Sequence, residues 1–321
     1  MPAELVGGMP ALLRSVMQDI DIVIVGAGVA GLTAAMVAAR HGVKVTVVDR
    51  TGVGGQISTT ERIENFPGFP QGIAGHELGP LLHEQAEAAG AEFMLDTIEQ
   101  IAPEGGRFLV RGGDTLRARA VIVAAGSALR LLGIPGEAQF LGRGVSHCAS
   151  CDGPFFKGEE VVVVGGGDSA LDEALVLAMH AARVTVVHRG ASLSAQQSIV
   201  ARASADPRVA ILLDTVVEEI VGGDAVSGVR LRDRKSGEAR LQPVKGVFVH
   251  VGLEPNTTFL QGLVALDGAG RIETDAMMQT SLTGLFAAGD IRKGSVALIA
   301  AVSGDGATAA IAAVRYLQIG A

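Results

Sequence analysis

The stretch "DIVIVGAGVAGLTAAMVAARHGVKVTVVDR" (residues 21–50) returns in this chain, without a gap, as "EVVVVGGGDSALDEALVLAMHAARVTVVHR" (160–189). Each copy reads as a β-branched run, a turn of the form G-x-G-x-x-[GA], an Ala- and Leu-rich helical segment and a second β-branched run. That order predicts strand, turn, helix and strand, the unit that holds a dinucleotide. In the first copy Gly26 makes the tight turn, Gly28 lets the backbone approach a pyrophosphate, and Gly31 allows close helix packing. Gly165, Gly167 and Ala170 stand at the same places in the second. One such motif is a weak signal. Two in full context predict an α/β fold with two Rossmann-like dinucleotide-binding domains.

The copies differ where the ligand is chosen. The first ends its second strand at Asp49, whose carboxylate suits the hydroxyls of a ribose. The second has His188 there, followed by Arg189. An acid repels a 2′-phosphate and this pair suits one, so two different dinucleotides are expected, the second reading as NADP. Two sites for one ligand is the alternative.

Composition narrows the function further. Lys and Arg number 26 against 34 Asp and Glu, a net charge of −8. That balance offers no basic field for nucleic acid, which is not expected as a partner. Residues 22–39 carry no charge and mimic a membrane span on hydropathy alone. The glycines inside them predict a buried strand and a buried helix instead, and no membrane association. The first 20 residues read as a loose extension without the features of a leader peptide.

Both cysteines of the chain lie in "SHCASCDG" (146–153). Such a pair can be redox-active, half of a metal site, or a structural disulfide. Seven scattered histidines, none in an H-x₃₋₅-H array, supply no second half for zinc, and no metal is expected. A disulfide across two residues closes too small a loop to stabilise much. So low a cysteine count fits a reducing, cytoplasmic setting.

Further signals surround the two units. "GGQISTTERIENFPGFP" (54–70) predicts a long loop over the first cofactor. "RAVIVAAGS" (119–127) and "GLFAAGD" (284–290) each read as a strand ending in a small-residue turn. The Ala-rich run 296–314 predicts a helix whose N-terminus faces the ligand.

Taken in order, "GAGVAG" (26–31), "GGQ" (54–56), "IENFPGF" (63–69), "GIPGE" (133–137), "CASCDG" (148–153), "GGGDSALDEA" (165–174), "GLEPNT" (252–257) and "FAAGD" (286–290) resemble the low-molecular-weight thioredoxin reductases over residues 20–320. The resemblance implies a discontinuous FAD-binding domain, 1–127 plus 256–321, with a second nucleotide-binding domain, 128–255, inserted in it. It implies that Arg50, Gly55, Gln56, Asn65, Gly126, Gly289, Asp290, Ala297 and Leu298 join Gly26, Gly28, Gly31 and Asp49 around FAD. Asp168 and Ser169 join Gly165, Gly167, His188 and Arg189 around the second nucleotide. Electrons are expected to pass from flavin through Cys151 and Cys148 to a thioredoxin-like protein disulfide, with Asp152 as acid/base. His147 is a possible helper in this chemistry, though it reads first as a solvent-facing neighbour. A homodimer is expected on the same ground. A disulfide cannot lie on the flavin and face a protein at once, so the inserted domain is expected to rotate about hinges near 127–130 and 253–256.

Two departures bear on the electron donor. Family members follow the second unit with a run like "HRRDEFRA"; here it is "HRGASLSA" (188–195), so Gly190 and Ser194 replace two arginines. Val296, Ala297 and Leu298 stand where members often read "YRQ". NADPH is therefore one expected donor, and a second flavin or a ferredoxin is the other reading, as is a dithiol oxidase.

Overall fold

A computed structural model describes residues 19–260 and 262–319; most of the N-terminal extension lies outside the described residues. The first unit forms β1 (Asp19–Val25), α1 (Val29–Ala39) and β2 (Val45–Asp49), followed by α2 (Gly75–Ala88), β3 (Glu92–Leu95), β4 (Gln100–Glu104), β5 (Arg107–Arg111) and β6 (Thr115–Val123). Next come β7 (Ser127–Leu129), β8 (Val145–Ser146), α3 (Ala149–Asp152), β9 (Glu160–Gly165), α4 (Asp168–Ala178), β10 (Arg183–Val187), α5 (Gln197–Ala205) and β11 (Val209–Leu212). The chain finishes with β12 (Thr215–Gly222), β13 (Val226–Asp233), β14 (Ala239–Pro243), β15 (Gly246–His250), β16 (Leu253–Pro255), β17 (Leu285–Ala287) and α6 (Ile299–Ile319).

These strands sort into two α/β lobes. The first holds the order β3-β2-β1-β6-β5-β4, with β17 parallel on β6; the second holds β11-β10-β9-β15-β8, all parallel. A three-stranded antiparallel sheet, β12-β13-β14, packs on the second lobe. The β-branched runs of β1, β2, β9 and β10 lie at the centre of their sheets, buried on both faces, which is why they read as unbroken apolar runs. Helix α1 is buried almost all round because α6 lies directly on it: an added methyl on Gly306 would stand 2.1 Å from the Ala30 carbonyl. Alanine and glycine on both helices permit that approach.

The lobes are joined through a two-stranded ribbon in which Leu253 faces Leu129, Glu254 faces Ala128 and Pro255 faces Ser127. One further tie crosses between them: Arg202 Nη1 of α5 lies 2.9 Å from Glu64 Oε2 in the 54–70 loop. Helix α6 corrects the expected span of 296–314. It starts three residues later, because Ala297 takes a left-handed φ of +51° that no helix continues through, and it runs on to Ile319. No helix among the described residues is long and apolar enough to cross a membrane.

Candidate functional site

The three glycines of the first turn have different physical warrants. A methyl on Gly26, at φ +109°, would lie 2.3 Å from the Ala124 carbonyl oxygen, and one on Gly31 would lie 1.8 Å from that of Gly26. Both are glycine for the protein's own packing. Gly28 has ordinary extended backbone and nothing within 4 Å of an added methyl. Only something that binds in front of it requires the missing side chain. In front of it opens a cavity of about 1190 Å³, ample for a dinucleotide.

From the first lobe that cavity is lined by Gly26, Gly28, Asp49, Arg50, Gly55, Gln56, Asn65, Gly126, Gly289, Asp290, Ala297 and Leu298. Gly31 lies beneath, inside α1. Asp49 also staples the wall: one carboxylate oxygen accepts from Ala27 N (2.7 Å), the other from Thr51 N (2.8 Å) and Gly52 N (3.0 Å). Gln56 Nε2 donates to the Ser127 carbonyl at 3.0 Å. Asp290 accepts from Ser295 Oγ at 2.9 Å, and burial raises its pKa above the ordinary carboxylate value. Asp305, which sequence reading missed, holds this turn from behind. It accepts from Gly289 N and from both Nε and Nη2 of Arg292, at 3.2, 2.6 and 2.8 Å. The one signal for it is an acid in the middle of an Ala/Gly-rich helix.

In the second lobe Gly167 is nearly as open as Gly28, with only Ser194 Oγ near an added methyl, at 3.7 Å. Gly165 lies tight against the His250 carbonyl. The half-exposed His188 ring packs on Gly166 and Gly190 and walls the turn. Arg189 is exposed, and Arg234 donates to its carbonyl at 2.6 Å. Arg234 comes from the far hairpin, so no local pattern announces it. Ser194 N donates to the Gly166 carbonyl at 2.8 Å, and Asp168 accepts from Gln196 N and Nε2, both at 2.6 Å.

Cys148 and Cys151 are joined as a disulfide. Cys148 caps α3, its sulfur accepting from Cys151 N at 3.1 Å. Cys151 is the more exposed of the two and borders a small recess with Ser58, Thr60, Glu61 and His76. Asp152 is half-buried and Phe155, just beyond, is 82% exposed. None of Cys148, Cys151 and Asp152 lines the large cavity. What faces it from the second lobe is chiefly α4, through Asp168, Ser169, Asp172, Glu173 and Val176, with His147 and His250 beside them and, at the edge, Ser150 between the two cysteines and Arg202 of α5. In this orientation the nucleotide helix, not the disulfide, looks onto the first glycine turn. Gly165, Gly167, His188 and Arg189 lie outside the cavity.

Behind the disulfide sits a pair that sequence reading also missed. Glu173 on α4 accepts the N–H of Ala149, the peptide that follows Cys148. His250 Nε2 lies 3.6 Å from Glu173 Oε2, is buried, and has no hydrogen-bond partner. Burial pushes Glu173 up to about 7 and His250 down to about 4, so the neutral pair, with the proton on Glu173, is the stable form between about pH 4 and pH 7.

Residues 20–306 match the family described as pyridine nucleotide-disulphide oxidoreductase. The chain is 42% identical to a thioredoxin reductase of Treponema pallidum, over 94% of this chain and 98% of that one. It is 41% identical to that of Bacillus subtilis, over 93% and 95%. Among solved structures it resembles thioredoxin reductase of Lactococcus lactis in what is described as the FR conformation. The TM-score is 0.92 at 39% identity, covering 94% of this chain and 99% of that one. Against the Streptococcus pyogenes enzyme, 40% identical over 94% and 99%, the TM-score is 0.62.

Proposed function

Since this chain belongs to the pyridine nucleotide-disulphide oxidoreductases and, within them, to the thioredoxin reductases, we propose that it reduces a thioredoxin-like protein disulfide with electrons taken from a nicotinamide dinucleotide. It is a flavoprotein disulfide oxidoreductase. The first cavity fits FAD: Gly28 leaves room for a pyrophosphate, Asp49 stands at the ribose position, and Gln56, Asn65, Asp290 and Leu298 lie along the wall. Bound FAD supplies a ring that accepts two electrons from a hydride donor and yields them to a disulfide.

One observation carries the reading. A single lobe presents its nucleotide helix to the cavity while its disulfide lies beside a smaller recess at the cavity's edge, which shares Thr59, Thr60, Glu61 and Ser150 with it. Turning that lobe about the ribbon of β7 and β16 exchanges the two, so the hinges serve as a gate. TM-scores of 0.92 and 0.62 at nearly equal identity support two lobe orientations within one fold. We place the domain boundaries accordingly at 1–127 with 256–321, and at 128–255.

Once the pair is reduced, the Cys148 thiolate attacks the substrate disulfide, forming a mixed disulfide and releasing one substrate thiolate. Cys151 then attacks the Cys148 sulfur, which releases the second and restores the Cys148–Cys151 bond. Asp152 takes up and returns the thiol proton. Phe155 offers an exposed apolar contact beside the pair.

NADPH is the proposed donor: Gly165 and Gly167 keep the turn, and Arg189 with Arg234 leaves two guanidiniums near the place of a 2′-phosphate. The absence of arginine at Gly190 and Ser194 favours the second reading, a donor such as a second flavin or a ferredoxin. A cytoplasmic homodimer is proposed from family resemblance. Anaerobic stopped-flow mixing with NADPH and NADH tests the donor. Rapid loss of the flavin band with NADPH supports the proposal; no loss with either transfers it to the second reading.

A further inference from the structure

Glu173 and His250 have no place in the steps above, yet Glu173 is hydrogen-bonded to the peptide next to Cys148 and His250 lies against Glu173. The carboxylate of Glu173 touches the peptide N–H between Cys148 and the helix that carries Cys151. His250, its side chain 5% exposed, has an unsatisfied nitrogen aimed at that carboxylate. A buried polar nitrogen without a partner costs free energy, so its retention here calls for an explanation. Resting on the reading that the cysteine pair is redox-active, we propose that Glu173 and His250 are positioning residues that hold one proton behind the disulfide and thereby set how the Cys148–Cys151 couple depends on pH.

The argument is electrostatic. Reduction creates a thiol at Cys148 that must ionise to attack. An ionised Glu173, one peptide away in a buried setting, opposes a thiolate there; a protonated Glu173 does not. Both states keep the same hydrogen bond from Ala149 N, so the helix stays in place while the local charge changes. The other ionisable groups that bear on the pair are His147, beside His250, and Asp172 on α4, itself influenced by Asp168, Arg202 and Glu64. None of them contacts the Ala149 N–H.

The test compares wild-type and E173Q holoenzyme, equilibrated anaerobically with dithiothreitol redox buffers from pH 5.5 to 8.5. Samples are quenched by thiol alkylation and counted by mass. The ratio of the two equilibrium constants removes the buffer's own pH dependence. At pH 5.5 glutamine and protonated glutamate are alike, and the ratio is expected near one. At pH 8 the variant is expected to favour the dithiol by roughly three- to tenfold, because it lacks the opposing charge. H250F, which keeps the ring and loses the nitrogens, should move the onset of this difference to higher pH. A ratio that stays constant across pH, whether one or not, overturns the proposal and leaves Glu173 a helix anchor. A pair that stays oxidised in excess dithiol removes the redox reading itself, and the proposal with it.

Discussion

Replacing Gly28 by alanine separates what the fold needs from what the ligand needs. Gly28 sits at φ −74° and ψ −178°, open to any residue, and its added methyl would meet nothing within 4 Å. G28A should therefore fold as well as wild type, or gain about 0.4–1 kcal/mol from a less flexible unfolded chain. The same methyl lies where a pyrophosphate must approach the backbone. Two charge-assisted N–H bonds lost there, at about 1.5–3 kcal/mol each, weaken FAD binding on the order of 10²- to 10⁴-fold. G31A reverses the pattern: its methyl meets the Gly26 carbonyl at 1.8 Å, an overpacking that costs roughly 1–3 kcal/mol in stability. Thermal unfolding of the flavin-free proteins and fluorescence titration with FAD measure the two effects. Wild-type FAD affinity in G28A, or a loss of stability equal to that of G31A, would refute this account of the turn.

In urea unfolding, E173Q should gain on wild type as pH rises. Glu173 is raised from the ordinary 4.5 to about 7, so its contribution to stability is whole below pH 4.5 and is lost as pH rises through 7. The variant's advantage reaches about 3 kcal/mol at pH 8, and equal midpoints at pH 6 and pH 8 would contradict that sign. The cysteine roles predict that C151S, with Cys148 left free, accumulates a stable mixed disulfide with an oxidised thioredoxin-like substrate, whereas C148S does not; intact-mass analysis decides, and the reverse result exchanges the roles. Arg202 and Glu64 are each half exposed, so R202A should shift the balance of lobe orientations by only about 0.2–1 kcal/mol, less at high salt. Distance measurements between spin labels on the two lobes would expose any larger effect.

Much of this was legible along the chain because local periodicity and long-range packing agree. Strands β1, β2, β9 and β10 are buried on both faces, so their residues had to be unbroken and β-branched. Twelve of the thirteen residues assigned to FAD line one cavity; Gly31, the exception, packs inside its helix. What the chain concealed depends on partners distant in sequence. The His188 ring packs on the glycine turn because Gly166 and Gly190 leave space for it, and Arg234 arrives from a hairpin 45 residues beyond Arg189. His250 ends a strand that reads as ordinary core, and only the packing of β15 beside β9 brings it to Glu173. The start of α6 was misplaced because nothing in an alanine marks a left-handed residue.

The central claim is that a bound flavin and the Cys148–Cys151 pair exchange electrons within one polypeptide. Anaerobic titration of the holoenzyme with dithionite, counting thiols at each point, tests it most directly. The account predicts two two-electron equivalents per chain with two new thiols, and one equivalent in C148S. A single equivalent in wild type, with the flavin fully reduced and no thiols formed, would contradict it.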